Sequence, residues 1–267
     1  MQTCNDIKNH KRLSFSTCLL AGLILLFMSG CSSSLQIDTM NIIVMTKTEG
    51  FRHDNIPTAV DALKKLGKEN NWNIHHTEDP NHFSSAALDT FDLVVFLQTT
   101  GDIFNDDQKH AIEDYVMGGG GLLTIHTGTV TENNWDWFME MMGAKFIGHP
   151  PVQQGKLVIE NSDHPATSFF PDTVWVIEDE WYSFDRNPRH EVNVLISIDE
   201  SSYEFGDHEW LYGVYQRMGD HPMVWYRHAG QGRVFQTALG HSHELYYDEL
   251  FLQHIRGAIL WTAGMED

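Results

Sequence analysis

Residues 118–128 read Gly118-Gly119-Gly120-Gly121-Leu122-Leu123-Thr124-Ile125-His126-Thr127-Gly128. Four glycines break a preceding helix. The run 122–126 that follows has the continuous hydrophobicity of a strand buried on both faces, and a histidine stands at its carboxyl end. The broken helix begins after Asn105, a good N-cap, with Asp106 and Asp107 placed where negative charge suits the helix dipole, and it runs to residue 117.

The same alternation extends outward on the N-terminal side. Segments 40–46 (MNIIVMT), 72–76 and 91–97 (FDLVVFL) have strand character. Between the first two, Ile56, Ala59, Val60, Leu63 and Leu66 recur at helical spacing, with Pro57 in the first turn, where proline is tolerated. Strands alternating with helices from 40 to about 145 predict an α/β doubly wound sheet with helices on both faces. The C-terminal half is elaborated. Strands are expected at 156–160, 174–177 and 194–198, and a hairpin at 223–226 and 233–238 around Gly230-Gln231-Gly232. A closing helix is expected over 247–263, ended by Gly264. One domain spanning 40–265 is expected.

The chain has 267 residues, 17 of them Lys or Arg and 37 Asp or Glu, for a net charge of −20. Nucleic acid is excluded as a partner, because phosphate binding needs a positive face. Residues 1–30 resemble a lipoprotein signal peptide. Lys8, Lys11 and Arg12 precede a short apolar run, and Met28-Ser29-Gly30 precedes Cys31. Cys31 is the expected lipidation site and 31–39 a polar tether, with Ser32 favouring an outer membrane facing the periplasm. The membrane would then be met only through the lipid anchor, in a bacterial cell envelope. Cys4 and Cys18 leave with the leader, so the domain has neither a thiolate nucleophile nor a disulfide.

Sixteen histidines are many for this length. Four follow predicted strands or sit in loops that can reach a crevice at their carboxyl ends: His53, His126, His149 and His241. Histidines with a carboxylate can bind a divalent ion, and they also act as general acids or bases. Asp179, Glu180 and Glu244 are available carboxylates. No HExxH-type spacing is present, so local spacing gives no metal signal of its own. His75, His76, His82, His110, His190 and His228 have the character of ordinary loop or capping residues. His149-Pro150, His164-Pro165 and His221-Pro222 are intermediate, since a His-Pro step favours extended backbone and can present the ring into a cleft.

Several motifs together resemble the ThuA-like (trehalose-utilisation) family. They are residues 47–57 (KTEGFRHDNIP), 119–126 (GGGLLTIH), Gly148-His149-Pro150, Asp163-His164-Pro165, Asp179-Glu180-Trp181-Tyr182, 199–203 (DESSY), 220–225 (DHPMVW), Gly232-Arg233-Val234-Phe235 and Ala238-Leu239-Gly240-His241. The resemblance runs in order through most of 40–264. It implies a flavodoxin-like, class I glutamine-amidotransferase-like fold and a link to carbohydrate metabolism, with oxidised (3-keto) glycosides among the substrates. Amidotransferases carry a cysteine nucleophile on the turn after a strand. His126 falls at that place here, and an imidazole cannot form the glutamyl thioester, so glutamine hydrolysis is not expected.

The leading expectation is a carbohydrate-active isomerase, lyase or hydrolase. His126, His53 and Glu180 are its catalytic candidates, and His149 and His241 its candidate metal ligands for zinc or manganese. Arg52, Thr100, Asp179, Tyr182 and Trp225 are candidates for contact with a small carbohydrate. No nucleotide cofactor is expected, and the sequence leaves the oligomeric state open. The alternative is a non-catalytic, lipid-anchored carbohydrate-binding accessory protein. A metal-storage role fits poorly, because the histidines are dispersed rather than in tracts.

Overall fold

Ile42 and Val44 belong to one hydrophobic core and Ile43 and Met45 to another, so the apolar segment at 40–46 is a strand packed on both faces. The computed structural model describes residues 39–205 and 217–267. Cys31, the leader and most of the tether lie outside the described residues.

The strands are β1 (Met40–Met45), β2 (Trp72–Thr77), β3 (Leu93–Leu97), β4 (Gly121–Ile125), β5 (Phe146–Gly148), β6 (Gln153–Ile159), β7 (Val174–Asp179), β8 (Ser183–Phe184), β9 (Asn193–Asp199), β10 (Pro222–Ala229) and β11 (Gly232–Thr237). The helices are α1 (Ile56–Asn70), α2 (Ser85–Leu88), α3 (Asp106–Met117), α4 (Asp136–Met142) and α5 (Glu249–Thr262). Nine strands form one sheet in the order β2-β1-β3-β4-β11-β10-β9-β6-β7, and β5 pairs with β8 apart from it. The run β2-β1-β3-β4-β11 is parallel. From β11 to β7 every pairing is antiparallel.

Side chains of α1 and α5 join the core containing Ile42 and Val44, whereas α3 and α4 join the one containing Ile43 and Met45. The chain therefore leaves β1 over one face and β3 over the other. Such a switch in strand order opens a crevice beyond the carboxyl ends of β1 and β3.

The doubly wound half agrees with the sequence reading, including the Asn105 cap. Asn105 and Gln108 each accept a bond from the other's backbone N–H, a reciprocal capping box. Details differ in both halves. The short elements α2, α4, β5 and β8 lie where no periodicity announced them. The closing helix starts at Glu249 rather than 247, because Asp248 accepts a bond from the Phe251 amide and caps it there, while His243–Tyr247 form a 3-10 turn. β3 starts two residues later than expected, because the Asp92 carboxylate accepts a bond from the Asn41 amide and closes the strand's N-terminal side. Among the described residues no helix is long and apolar enough to cross a membrane.

His254 of α5 is fully buried against Phe235, Phe251 and Trp175, and its Nδ1 lies 2.9 Å from the Ala166 carbonyl. Burial pushes its pKa down to about 4. The folded state then holds the ring neutral while the unfolded chain protonates near 6.5, so stability is complete above that value and is lost as pH falls toward 4. The expected loss from this group is about 2 kcal/mol between pH 7 and pH 5. Urea unfolding at both pH values, in the wild type and in His254→Met, checks this. A pH dependence that is the same in both proteins would remove His254 as its source.

Candidate functional site

β4 ends at Ile125, and the next residue, His126, takes a left-handed conformation with φ 68°. A non-glycine residue held there stores strain that the surroundings must offset, and such strain clusters at functional sites. The surroundings are explicit. The His126 amide donates to the Thr237 carbonyl at 2.8 Å, and ring Nδ1 faces the Ala238 carbonyl at 2.9 Å. A carbonyl only accepts, so Nδ1 carries the proton and Nε2 the lone pair. Nε2 lies 3.0 Å from the Tyr182 hydroxyl and 3.5 Å from Glu180 Oε2. Gly128 lets the turn close, because a Cβ there would run into the Gln236 and Thr124 side chains.

His53 comes from the loop after β1. That loop is tied to the one after β3 by the Glu49 amide on the Thr100 carbonyl, at 2.8 Å. Its ring stands edge-on to those of His126 and His241, with centroids 4.8 and 5.2 Å away, and its buried Nδ1 has no hydrogen-bond partner. Glu180 follows β7 directly. Its carboxylate lies 3.0 Å from His149 Nδ1 and 3.4 Å from His241 Nδ1, besides the contact with His126. Ligand-capable atoms of His53, His126, Glu180 and His241 all lie within 4.8 Å of one another. Four segments distant in sequence thus meet in one cluster, buried except at His241, and His149 stands beside it.

Charge is shared across the cluster. Burial works to raise the Glu180 carboxyl, but the three imidazoles beside it, His126, His149 and His241, outweigh it and hold the group well below the usual carboxylate range. Burial lowers His53 first, with repulsion from His126 and His241 adding to it, down to about 2, so that ring is neutral at physiological pH. Burial also works to lower His241, yet the Glu180 carboxylate 3.4 Å from its Nδ1 reverses the direction and raises it. Burial, followed by the charges of Glu180 and Asp179, raises the Tyr182 hydroxyl well above its ordinary value.

The segment carrying His241 is fixed from beneath. Asp179, fully buried, accepts bonds from the amides of Gly240, His241 and Ser242 at 2.8, 2.9 and 3.0 Å. Burial raises its carboxyl, opposed by His126 and by these amides. Asn55 donates to the carbonyls of Gly240 and His241, and Gln98 donates to that of Gly240. Gly240 has φ 118°, which a side chain would strain.

These residues face a cavity of about 450 Å³ that His53, His149, Glu180, Tyr182 and His241 help to line. Thr100 also lines it, with its hydroxyl donating to the Phe51 carbonyl at 2.8 Å. Asp179 does not line it and acts through the backbone of 240–242.

Besides Asp179, two expected contacts are placed elsewhere. Arg52 is exposed and pairs with Glu78 at 2.7 Å, since an acidic neighbour on the surface satisfies it. Trp225 is core, 1% exposed, edge-on to Phe184 and donating its indole N–H to the Met142 carbonyl. Glu244 is exposed on the 3-10 turn and takes no part. Of the intermediate histidines, His221 bridges Glu200 and the Tyr182 carbonyl behind the site, and His164 packs on Tyr226 and Trp261. The six set aside as ordinary do not line the cavity. Asn55 and Gln98 are not among the expected site residues; the signal available is that Asn55 lies two residues after His53 and Gln98 directly follows the strand expected at 91–97. A shallower groove of about 570 Å³ beside Arg186 and Arg227 shares no residue with this cavity.

The sequence pattern of the ThuA family, described as trehalose utilisation, matches residues 41–262. The chain belongs to the ThuA family. No curated protein matches it by sequence. A ThuA-like protein from Bacteroides uniformis is similar in structure, with a TM-score of 0.71 and 22% identity over 86% of this chain and 93% of that one. A ThuA-like protein from Parabacteroides merdae gives 0.65 and 17%, over 85% and 91%. A β-galactosidase from Bacillus circulans sp. alkalophilus shares the fold at 0.52 and 14%, over 86% of this chain and 32% of the larger protein. At these identities the solved structures establish the fold. Family membership points to carbohydrate utilisation.

Proposed function

We propose that this ThuA protein is an enzyme of carbohydrate utilisation that acts on a sugar or keto-glycoside with a divalent metal ion held by His53, His126, His241 and Glu180. The observation that carries the reading is the convergence of three imidazoles and one carboxylate, from four separate segments, in a cluster buried except at His241. The donor set fits zinc or manganese, which take imidazole nitrogen with a carboxylate. The orphaned Nδ1 of His53 lacks the partner that a buried polar atom normally has. The Ala238 carbonyl fixes the His126 tautomer with its lone pair on Nε2, as an acceptor does behind a ligating histidine.

When bound, the ion supplies positive charge against the oxyanion that develops on a sugar carbonyl oxygen. The other residues divide the remaining work. His149 Nδ1 faces the Pro150 carbonyl and Glu180, both at 3.0 Å, so the proton sits on Nδ1 and Nε2 holds the lone pair. That atom can take the proton from carbon next to a carbonyl, with Glu180 steadying the imidazolium that results. Tyr182 lines the same space, and its hydroxyl, 3.0 Å from His126 Nε2, would be released to meet a substrate oxygen once that nitrogen held the ion. Isomerisation, elimination and hydrolysis can all follow from that first proton transfer. The reading moves His126, His53 and Glu180 from the catalytic candidates to the ligand set and His149 in the opposite direction.

The test is turnover of 3-keto-glycosides by untagged protein, before and after chelation and after restoration with zinc or manganese, beside His149→Ala. Expected are loss on chelation, recovery with one of the ions, and a fall of at least about a hundredfold in kcat for the variant with its metal content retained. Sugar binding with neither metal nor turnover would replace this reading with that of a binding protein. In the same reading the domain works in the cell envelope, tethered through Cys31, and Cys31→Ala would move it from the membrane fraction to the soluble one.

A further inference from the structure

A second groove, of about 330 Å³, lies between α1, the 3-10 turn His243–Tyr247 and α5, and no described residue borders both it and the cavity above. That volume is at the small end of ligand sites. One wall is a stripe of α1. Thr58, Asp61, Ala62 and Lys65 fall at i, i+3, i+4 and i+7, so they share a face of the helix. Asp61 is exposed, and so is the Lys65 side chain. The 3-10 turn and α5 contribute Tyr247 and Leu252. Tyr247 is 79% exposed, the most open of the large apolar side chains among the described residues. An aromatic ring left in water beside a groove gains when a ligand covers it.

The groove is held open by bonds between its walls. The Thr58 hydroxyl meets His243 Nδ1 at 3.1 Å, and Nε2 of the same ring meets Asp54 at 3.2 Å. These contacts fix the start of α1 against the 3-10 turn, so little ordering remains to be done on binding. The scaffold is also shared with the cluster. Asp54 adjoins His53 and His243 lies two residues after His241, so the groove stands on loops that carry two of the cluster's rings.

A ligand here has to suit an aromatic face and charged neighbours together. A purely apolar partner would strip water from Asp61 and Lys65 and replace none of its hydrogen bonds. A cation would be repelled by Lys65, and an anion would meet Asp61 and a chain of net charge −20. A neutral pyranose ring has C–H groups for the tyrosine face and a rim of hydroxyls that can donate to Asp61 and accept from Lys65. We infer that this groove is a second, non-catalytic carbohydrate site, which holds one hexose unit of a neutral oligosaccharide against Tyr247 with its hydroxyls on Asp61 and Lys65. The inference rests on the carbohydrate reading above for the class of ligand and adds a place where a longer glycan is gripped beside the cavity.

The experiment is calorimetric titration of the full chain with maltohexaose and with cellohexaose, neutral glycans of the two anomeric linkages, in the wild type, Tyr247→Ala and Tyr247→Phe. Turnover of a 3-keto-glycoside and a thermal melt are measured on the same proteins. At least one hexasaccharide is expected to bind the wild type. Tyr247→Ala should weaken that binding at least about tenfold, and Tyr247→Phe, which keeps the ring, should stay within about threefold of wild type. Turnover of the small substrate and the melting temperature should be unchanged in both variants, since the side chain is open to solvent and outside the cluster. A Tyr247→Ala protein that binds both glycans as the wild type does overturns the inference and leaves the carbohydrate reading standing. So does a wild type that binds neither glycan while turning over the keto-glycoside. Neither binding nor turnover overturns the carbohydrate reading, and the inference with it.

Discussion

Glu180→Gln is expected to lose its metal on dialysis and to retain less than about a hundredth of wild-type turnover. Glu180 is the one carboxylate in the four-residue cluster, and its oxygens meet His126, His149 and His241 at 3.0 to 3.5 Å. The amide keeps the size of the side chain but removes the charge. One of its two positions then presents N–H groups toward rings that had faced an acceptor, so a ligand and the organiser of three imidazoles are lost together. Removing an outer-sphere partner of a metal ligand costs 10- to 100-fold in affinity as a rule, and a first-sphere carboxylate should cost more. Two further consequences separate a metal role from a merely structural one. Glu180→Asp should recover part of the metal content, because the charge returns on a shorter arm. Metal retention in the wild type should weaken as pH falls, since protons compete for the same imidazoles. Elemental analysis of untagged protein with a thermal melt checks both. A Glu180→Gln protein that folds and still carries one equivalent of metal would remove Glu180 from the ligand set.

The doubly wound half of the fold was legible because its signals are local. Apolar runs at 40–46, 91–97 and 122–126 must be strands covered on both faces, and the Asn105 cap with Gln108 fixes the start of α3. The same logic put His53, His126 and His241 at strand ends, and a doubly wound sheet brings such ends together whatever their distance in sequence. What could not be read was rank within the group. In the proposed reading His126 is a ligand and His149 the base because the ring of His126 falls among the clustered ligand atoms and that of His149 beside them, although both turn Nδ1 to a carbonyl, and no spacing rule encodes which rings converge. Trp225 was misplaced for a related reason. Alternation along β10 does not reveal whether an aromatic faces a cleft or Phe184 and Met142. Arg52 sits one residue from a true cluster member, yet its charge is spent on Glu78, which belongs to another strand's exit.

Asp179→Ala should be the most damaging substitution for folding, with an expected loss of about 4 kcal/mol or more. The carboxylate is fully buried and accepts three amides at 2.8 to 3.0 Å, two of them on one oxygen. Alanine leaves all three N–H groups without acceptors, and each buried orphan costs about 1 to 3 kcal/mol. For a domain of this size that is a fall of roughly 10 °C or more in Tm. Asparagine should cost less. Its oxygen can still serve His241 and Ser242, while its amide group opposes the N–H of Gly240. The order wild type, Asp179→Asn, Asp179→Ala in thermal stability is therefore expected. Asp179 belongs to none of the four candidate ligands, but it holds the backbone that presents His241. Asp179→Asn should accordingly bind metal more weakly at temperatures where it is fully folded. A purely scaffolding carboxylate would lower Tm and leave the metal affinity of the folded protein as it was. That outcome would show that Asn55 and Gln98, which grip the same turn through the Gly240 and His241 carbonyls, hold His241 in place without it.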